Sequence, residues 1–531
     1  MRSLGRLAVA TSPAGRTCGA GLVACLLLVA GGAAAQPTEV GQASSLKPQA
    51  PAASPPSPPS DAAARAGEPA AASSAEATAR ADLDDDDDDA NDRADDDDDD
   101  DDDEPRASPA RDHATDPAQV PRWDEPAIGV MTTPHPEDED RSEVAALPIV
   151  AGNSDIGIQF GGAAFITRLA RGARPYAWKA DVLLSLSLKP GPNGVDVAQQ
   201  AHDLRLDIPR FLGSRVRVMP GLFVERHVNA GYFGLGNASQ AVPFPDGSIG
   251  RRYHSVTEEA RFRLNARVPL RGSVDAMLGI QLRYTDADAY AYSKLAADAA
   301  AIEADGRPRI FGMDPIASAI PAAGLVYDTR DNEVSPRSGA FDIAGMRLGV
   351  GVPAGGGTSN RGMGYVGGSV VLRRYVPLPG PFVFAGRVIA DVMAGSAPFY
   401  DLVQGVTFTP IDLIGGHGGL RGVPNGRYIG KIKALASAEV RAQLVAFGLL
   451  KQRFRAGAQA FVDTGRVWND FRIDPDRDGR GLGLKYGVGG GMYFIWGAAA
   501  VIRMELAYSP DAASANPGFP FGFYVADGHA F

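Results

Sequence analysis

The sequence predicts an all-β protein: a transmembrane antiparallel β-barrel of about 16 strands, spanning residues 144–531, behind a disordered N-terminal region. Three observations predict it. The N-terminus has the layout of an export leader. Beyond residue 144 no stretch approaches the ~20 uninterrupted apolar residues of a spanning helix, so a membrane chain there has to be a closed barrel. The same region is full of segments in which wet and apolar positions alternate with period two.

Residues 1–35 read as a signal peptide: Arg2, Arg6 and Arg16 precede an apolar run from Ala20 to Ala30, and Ala33-Ala34-Ala35 supplies an A-x-A cleavage site before Gln36. Leu22-Val23-Ala24-Cys25 also spells a lipoprotein box, but Leu26-Leu27-Leu28-Val29 carries the apolar core past the cysteine and favours ordinary cleavage. Both cysteines, Cys18 and Cys25, fall in this leader, so the mature chain has no thiol for a disulfide or a metal.

Residues 36–143 contain 15 Pro and only 8 large apolar side chains in 108 positions, too little apolar surface to offset the entropy of ordering them. This segment is expected to be disordered and periplasmic. Charge divides at the same place: residues 1–145 carry 31 acidic and 11 basic side chains, net −20, whereas residues 146–531 carry 32 and 41, net +9. Between Asp82 and Glu104 stand 18 acids against the single Arg93. Such a block repels itself and stays extended; it lacks the shaped oxygen cage of a calcium site, which leaves weak divalent-cation binding or a basic partner as its alternatives to a plain spacer.

The strands read from the alternation. From Lys431 to Gln443 the odd positions are Lys431, Lys433, Leu435, Ser437, Glu439, Arg441 and Gln443, against apolar even neighbours. Residues 257–270 repeat the pattern with Glu259, Arg261, Arg263, Asn265 and Arg267 on one face. A soluble sandwich would show it too, but an exported chain with many ~10-residue strands and short turns fits an outer-membrane barrel with lipid outside and a wet lumen. The spacing places strands at 144–152, 155–169, 179–189, 201–211, 216–233, 253–270, 274–291, 318–334, 339–352, 362–377, 382–397, 432–447, 452–468, 484–496, 498–510 and 520–531. An even number puts both ends of the barrel on the periplasmic side and the long connections 291–317 and 398–431 outside. Phe531 would end the last strand as a C-terminal insertion signal, with His529 standing where a second ring is common.

Three segments carry a family resemblance. Tyr327-Asp328-Thr329-Arg330-Asp331, followed by Pro336 and Gly339, has the look of a strand and turn; Pro and Gly supply turn dihedrals, which accounts for its role. In the long connection stands Gly418-Gly419-Leu420-Arg421-Gly422-Val423, and further on Phe461-Val462-Asp463-Thr464-Gly465. Together these resemble the BamA/TamA family of outer-membrane proteins, also called bacterial surface antigens, which includes assembly factors and two-partner-secretion transporters. Leu420, Arg421 and Gly422 match the family's sixth-loop motif, with Val423 where an aromatic is usual; residues 461–465 match the F-x-D-x-G motif of the thirteenth strand. The resemblance implies that the loop folds back into the barrel and that Arg421 pairs with Asp463. Register independently puts Asp463 on the wet face with Arg453, Arg455 and Gln459. The alternative is that Arg421 decorates a surface loop and Asp463 pairs with a lumen arginine of a neighbouring strand.

Other patterns carry less. Asp474, Asp476, Asp478 and Gly479 begin like a calcium loop, but Lys485 takes the twelfth position. Gly487-Val488-Gly489-Gly490-Gly491-Met492 begins like a dinucleotide loop but lies within a strand, where close backbone approach better explains the glycines. The seven histidines show no ligand spacing, and no nucleophile–base grouping appears. No enzyme, cofactor, metal or nucleic-acid partner is therefore expected. The expected partners are outer-membrane lipid and a protein client or a POTRA-bearing accessory subunit, because residues 36–143 are not expected to fold into the POTRA domains that such assembly factors carry. The expected role is outer-membrane biogenesis or transport of protein or lipid; the alternative is a structural surface antigen or plugged passive pore.

Overall fold

The structure is a computed structural model, and it describes residues 140–153, 157–173, 175–191, 194–243, 250–354, 362–449, 452–514 and 519–531. The leader, the acidic run and nearly all of the expected disordered region lie outside the described residues. Sixteen antiparallel strands follow one another as nearest neighbours. They are β1 (Arg141–Asn153), β2 (Gly157–Leu169), β3 (Trp178–Gly191), β4 (Gly194–Asp207), β5 (Arg217–Gly231), β6 (His254–Arg271), β7 (Val274–Ala289), β8 (Ile316–Asp328), β9 (Gly339–Pro353), β10 (Met363–Pro377), β11 (Phe382–Ser396), β12 (Ile432–Leu449), β13 (Gln452–Trp468), β14 (Lys485–Trp496), β15 (Ala500–Tyr508) and β16 (Phe521–Asp527). No described helix is long and apolar enough to cross a membrane.

Period two decides what each face meets. On β12 the odd positions Lys433, Leu435, Ser437, Glu439 and Arg441 are buried inside, while Val440 is exposed outside. Ser437 stands opposite Asp463 and Glu439 opposite Phe461, so the wet faces of β12 and β13 share the lumen. The outer face is apolar, with Val388, Val462, Met504 and Leu506 exposed, which suits lipid rather than water.

The strand ends correct the sequence reading in four places. The first strand begins at Arg141, three residues early, because Arg141 to Glu143 pair with Thr167 to Leu169. β4 begins at Gly194 and ends at Asp207, since Val195 to Gln200 extend the ladder with β3 past a bulge at Ser187/Leu188. β8 stops at Asp328 instead of running to residue 334: Asp331 Oδ1 accepts the backbone N–H groups of Arg337 and Ser338, and Asn332 Oδ1 those of Val334 and Ser335, so side chains take the donors that a ladder would use. The last strand stops at Asp527 and not at Phe531, because Gly528 takes a left-handed φ of 72° and turns the chain out of the ladder.

Among the described residues no ladder joins β16 to β1, and other contacts bring the two ends of the strand order near each other. Glu143 on β1 accepts the N–H of Ala498 in the β14–β15 turn at 2.5 Å, and Ala145 and Phe165 pack against Ala499 and Ala500. Asp527 at the end of β16 lies 3.6 Å from Arg205 on the inner face of β4.

Candidate functional site

The connection between β11 and β12, residues 397–431, runs through the lumen and is pinned along its length. A helical turn, Phe399–Val403, presents Asp401 to Arg283 of β7 as a bidentate pair at 2.6 and 3.0 Å. Arg347 of β9 grips Asp391 of β11 at 2.9 and 3.0 Å, and the same carboxylate accepts the backbone N–H of Val406 at 3.1 Å. Farther on, Arg387 donates to the Gly418 carbonyl at 2.9 Å and Arg503 to the His417 carbonyl at 3.0 Å. Between these polar pins Phe408, Leu413, Ile414, Leu420 and Val423 build an apolar core against wall residues that include Met277, Ile343, Val371, Ile389 and Leu435. The loop thus brings its own core into a wet barrel.

At its centre is Arg421, which is 0 % exposed. Its Nε donates to Asp463 Oδ2 at 2.7 Å and its Nη2 to Asp463 Oδ1 at 2.9 Å, a fork-to-fork pair, while its backbone N–H reaches the same carboxylate at 3.1 Å. Its Nη1 donates to Glu439 and to Glu505, each at 2.6 Å. The guanidinium carbon lies 3.4 Å from the ring centroid of Phe461, so cation–π attraction adds to the charge contacts. Three carboxylates around one cation would be unstable alone, but Arg441 pairs with Glu439 at 2.7 Å and Arg503 pairs with Glu505. Three buried cations therefore balance three buried anions. Gln459 donates to Glu505 at 2.6 Å. Burial opposes the charge on Arg421, but its bond to Asp463 and the fields of Glu439 and Glu505 outweigh that cost and hold its pKa above the ordinary arginine range.

The flanking residues make the approach possible. Gly422 has φ 89° and its N–H donates to the Tyr524 hydroxyl at 2.9 Å; a Cβ there would sit 3.0 Å from Ser509 Cβ. Leu420 belongs to the loop core and is wholly buried. On the facing wall, a Cβ at Gly487 would overlap the Arg421 carbonyl oxygen. That is where the glycines of residues 487–491 lie, and it accounts for the first of them.

The remaining sequence candidates lie elsewhere. Asp328 holds Arg330 through two bonds of 2.9 Å in the β8–β9 turn, with Arg330 stacked 3.9 Å over Phe341; Pro336 is buried, and Gly339 has φ 98°. None of these touches Arg421. Phe531 sits inside the barrel with Tyr375 and Ala385, its ring 4.6 Å from the Arg387 guanidinium carbon and its carbonyl taking a 2.8 Å bond from Arg441. Glu439, Glu505, Arg441 and Arg503 were readable as lumen-facing but not as partners of the loop. Their signal is an acid and an arginine two apart on one face, in both β12 and β15. Elsewhere in the loop, burial pushes the Asp412 carboxyl up to about 6 despite nearby His227, and burial together with the Arg503 charge lowers the His417 imidazole.

The description of the Omp85 superfamily domain matches residues 190–530. No curated protein sequence matches the chain. Among solved structures, BamA from Haemophilus ducreyi lacking POTRA domains 1–3 is similar at 16 % identity and TM-score 0.41, covering 73 % of this chain and 70 % of that one. CdiB from Escherichia coli is similar at 13 % identity and TM-score 0.44, covering 73 % of this chain and 62 % of its own. CdiB from Acinetobacter baumannii shows 11 % identity and TM-score 0.38, with 72 % and 59 % covered. This chain therefore spans about three fifths of either CdiB.

Proposed function

The chain belongs to the Omp85 superfamily, and from that premise we propose that it works in outer-membrane biogenesis or in transport of protein or lipid, as a barrel whose luminal loop braces the strands beside an unladdered seam. The observation that carries this reading is the Arg421 cluster. It ties the loop to β12, β13 and β15, the strands that lead up to the β16 edge, where a change in loop seating would be felt by the seam. Outer-membrane lipid is the surrounding solvent, the residues ahead of the barrel are periplasmic, and a POTRA-bearing accessory subunit supplies client capture. Phe531 serves as part of the insertion signal, and the acidic run is a solvated spacer with weak divalent-cation affinity.

A second reading, a plugged passive pore or structural surface antigen, is favoured by the apolar core that the loop builds in the lumen. Depletion of the protein followed by a census of outer-membrane proteins and lipids separates the two. Loss of a defined subset supports the first reading; an unchanged census, with only permeability altered, supports the second.

A further inference from the structure

Between β4 and β5 the chain reads Arg210-Phe211-Leu212-Gly213-Ser214-Arg215. The hairpin is firmly made: Ile208 and Val218 exchange backbone bonds of 3.0 Å, Phe211 N–H donates to Val216 at 2.9 Å, and the Ser214 hydroxyl donates to the Phe211 carbonyl at 2.6 Å. Yet its tip offers apolar side chains outward. Leu212 is 89 % exposed and held at φ 51°, a left-handed conformation that side chains other than glycine rarely adopt. Phe211 is also exposed, and so is Leu270 at the end of the adjoining strand β6. Arg210, Arg215 and Arg271 are exposed around them, and among the described residues no side-chain hydrogen bond or ion pair engages their guanidinium groups.

A strained apolar tip ringed by unpaired arginines lies directly below the lipid-facing positions of β4, β5 and β6. That continuity and charge point to a membrane surface. We propose that this cluster is an interfacial anchor for anionic phospholipid in the leaflet at the short-turn end: Phe211, Leu212 and Leu270 enter beneath the headgroups, and Arg210, Arg215 and Arg271 bind the phosphates. Guanidinium forks suit phosphate oxygens, and arginine stems lie along apolar surface while their heads stay wet. The inference rests on the membrane-barrel reading but not on the luminal loop.

The test uses the full chain with Cys18→Ser, Cys25→Ser and Leu212→Cys, labelled with bimane at residue 212. It is refolded into phosphatidylcholine vesicles with or without phosphatidylglycerol, using lipids brominated high on the acyl chain. Quenching should be present, should strengthen with the anionic lipid, and should lose that added part in high salt and in the Arg210→Gln/Arg215→Gln/Arg271→Gln variant. Its preference for anionic lipid should fall at least about tenfold. Three results would each overturn the proposal: a label that stays water-exposed, quenching indifferent to phosphatidylglycerol and to the arginines, or a shielded label that bromine does not reach, which would mean a protein covers the turn. Heat-modifiable mobility on gels reports folding separately; a chain that folds into no vesicle at all contradicts the barrel reading instead.

Discussion

Replacing Arg421 by alanine should unseat the luminal loop, and the geometry around it sets an unequal scale for the two sides of the pair. Asp463 is wholly buried and its carboxylate bonds Arg421 alone among the described residues, so Arg421→Ala leaves a buried anion with no counter-charge and only the backbone N–H of residue 421 as a donor. Breaking a buried pair in that way costs about 3–5 kcal/mol. Asp463→Ala is gentler, because Arg421 keeps Glu439 and Glu505; the loss is that of hydrogen bonds between charged groups, about 1.5–3 kcal/mol. With both gone no anion is stranded, because Glu439 and Glu505 retain Arg441 and Arg503, so the double variant should cost less than Arg421→Ala alone. Protease cleavage at residues 415–426 in folded, vesicle-bound protein reads the open-loop population, which should rise roughly 100-fold or more for Arg421→Ala. Additive effects, a more harmful Asp463→Ala, or a cysteine pair at 421 and 463 that never cross-links in the folded barrel would refute the reasoning.

Other substitutions probe separate parts of the argument. Gly487→Ala puts a Cβ onto the Arg421 carbonyl and should loosen the loop as Arg421→Ala does while leaving all six charges in place, as the same cleavage assay will show. Asp412, raised to about 6 by burial, holds its proton longer folded than unfolded, so its ionisation disfavours the seated loop as pH rises from about 4 to 6. Asp412→Asn should therefore match the native protein near pH 4 and protect the loop better above about pH 6; equal protection at both pH values would exclude the effect. Leu212→Gly relieves the left-handed backbone and should raise urea resistance by up to about 1 kcal/mol while reducing retention of anionic lipid.

The parts of this fold that rest on period two were legible in the sequence, because a sheet with lipid on one face and a wet interior on the other forces alternation on nearly every strand. The alternation in residues 431–444 and 452–468 alone puts Glu439, Arg441 and Asp463 on the wet side. Strand ends were less legible where side chains replace ladder bonds: Asp331 and Asn332 take backbone donors that a reading by hydropathy assigns to β8, and Gly528 turns the terminal residues inward. At the site, the resemblance supplied the link from Arg421 to Asp463, since no local pattern ties a loop residue to a wall 42 positions away. The meeting of Glu439 and Glu505 on that one arginine depends on strand order and barrel curvature, which alternation does not encode.

The three carboxylates around Arg421 also bear on the timing of folding. They lie 18, 42 and 84 residues beyond it, on three different strands. Until β15 is in place, the arginine has no complete counter-charge to enter, and the cost of dehydrating it stands unmet. The lumen should then stay hydrated through most of assembly and be filled only when the C-terminal strands register. In stopped refolding, protection of residues 415–426 should consequently lag behind β-sheet formation, making occupancy of the lumen a report that the last third of the barrel has been built.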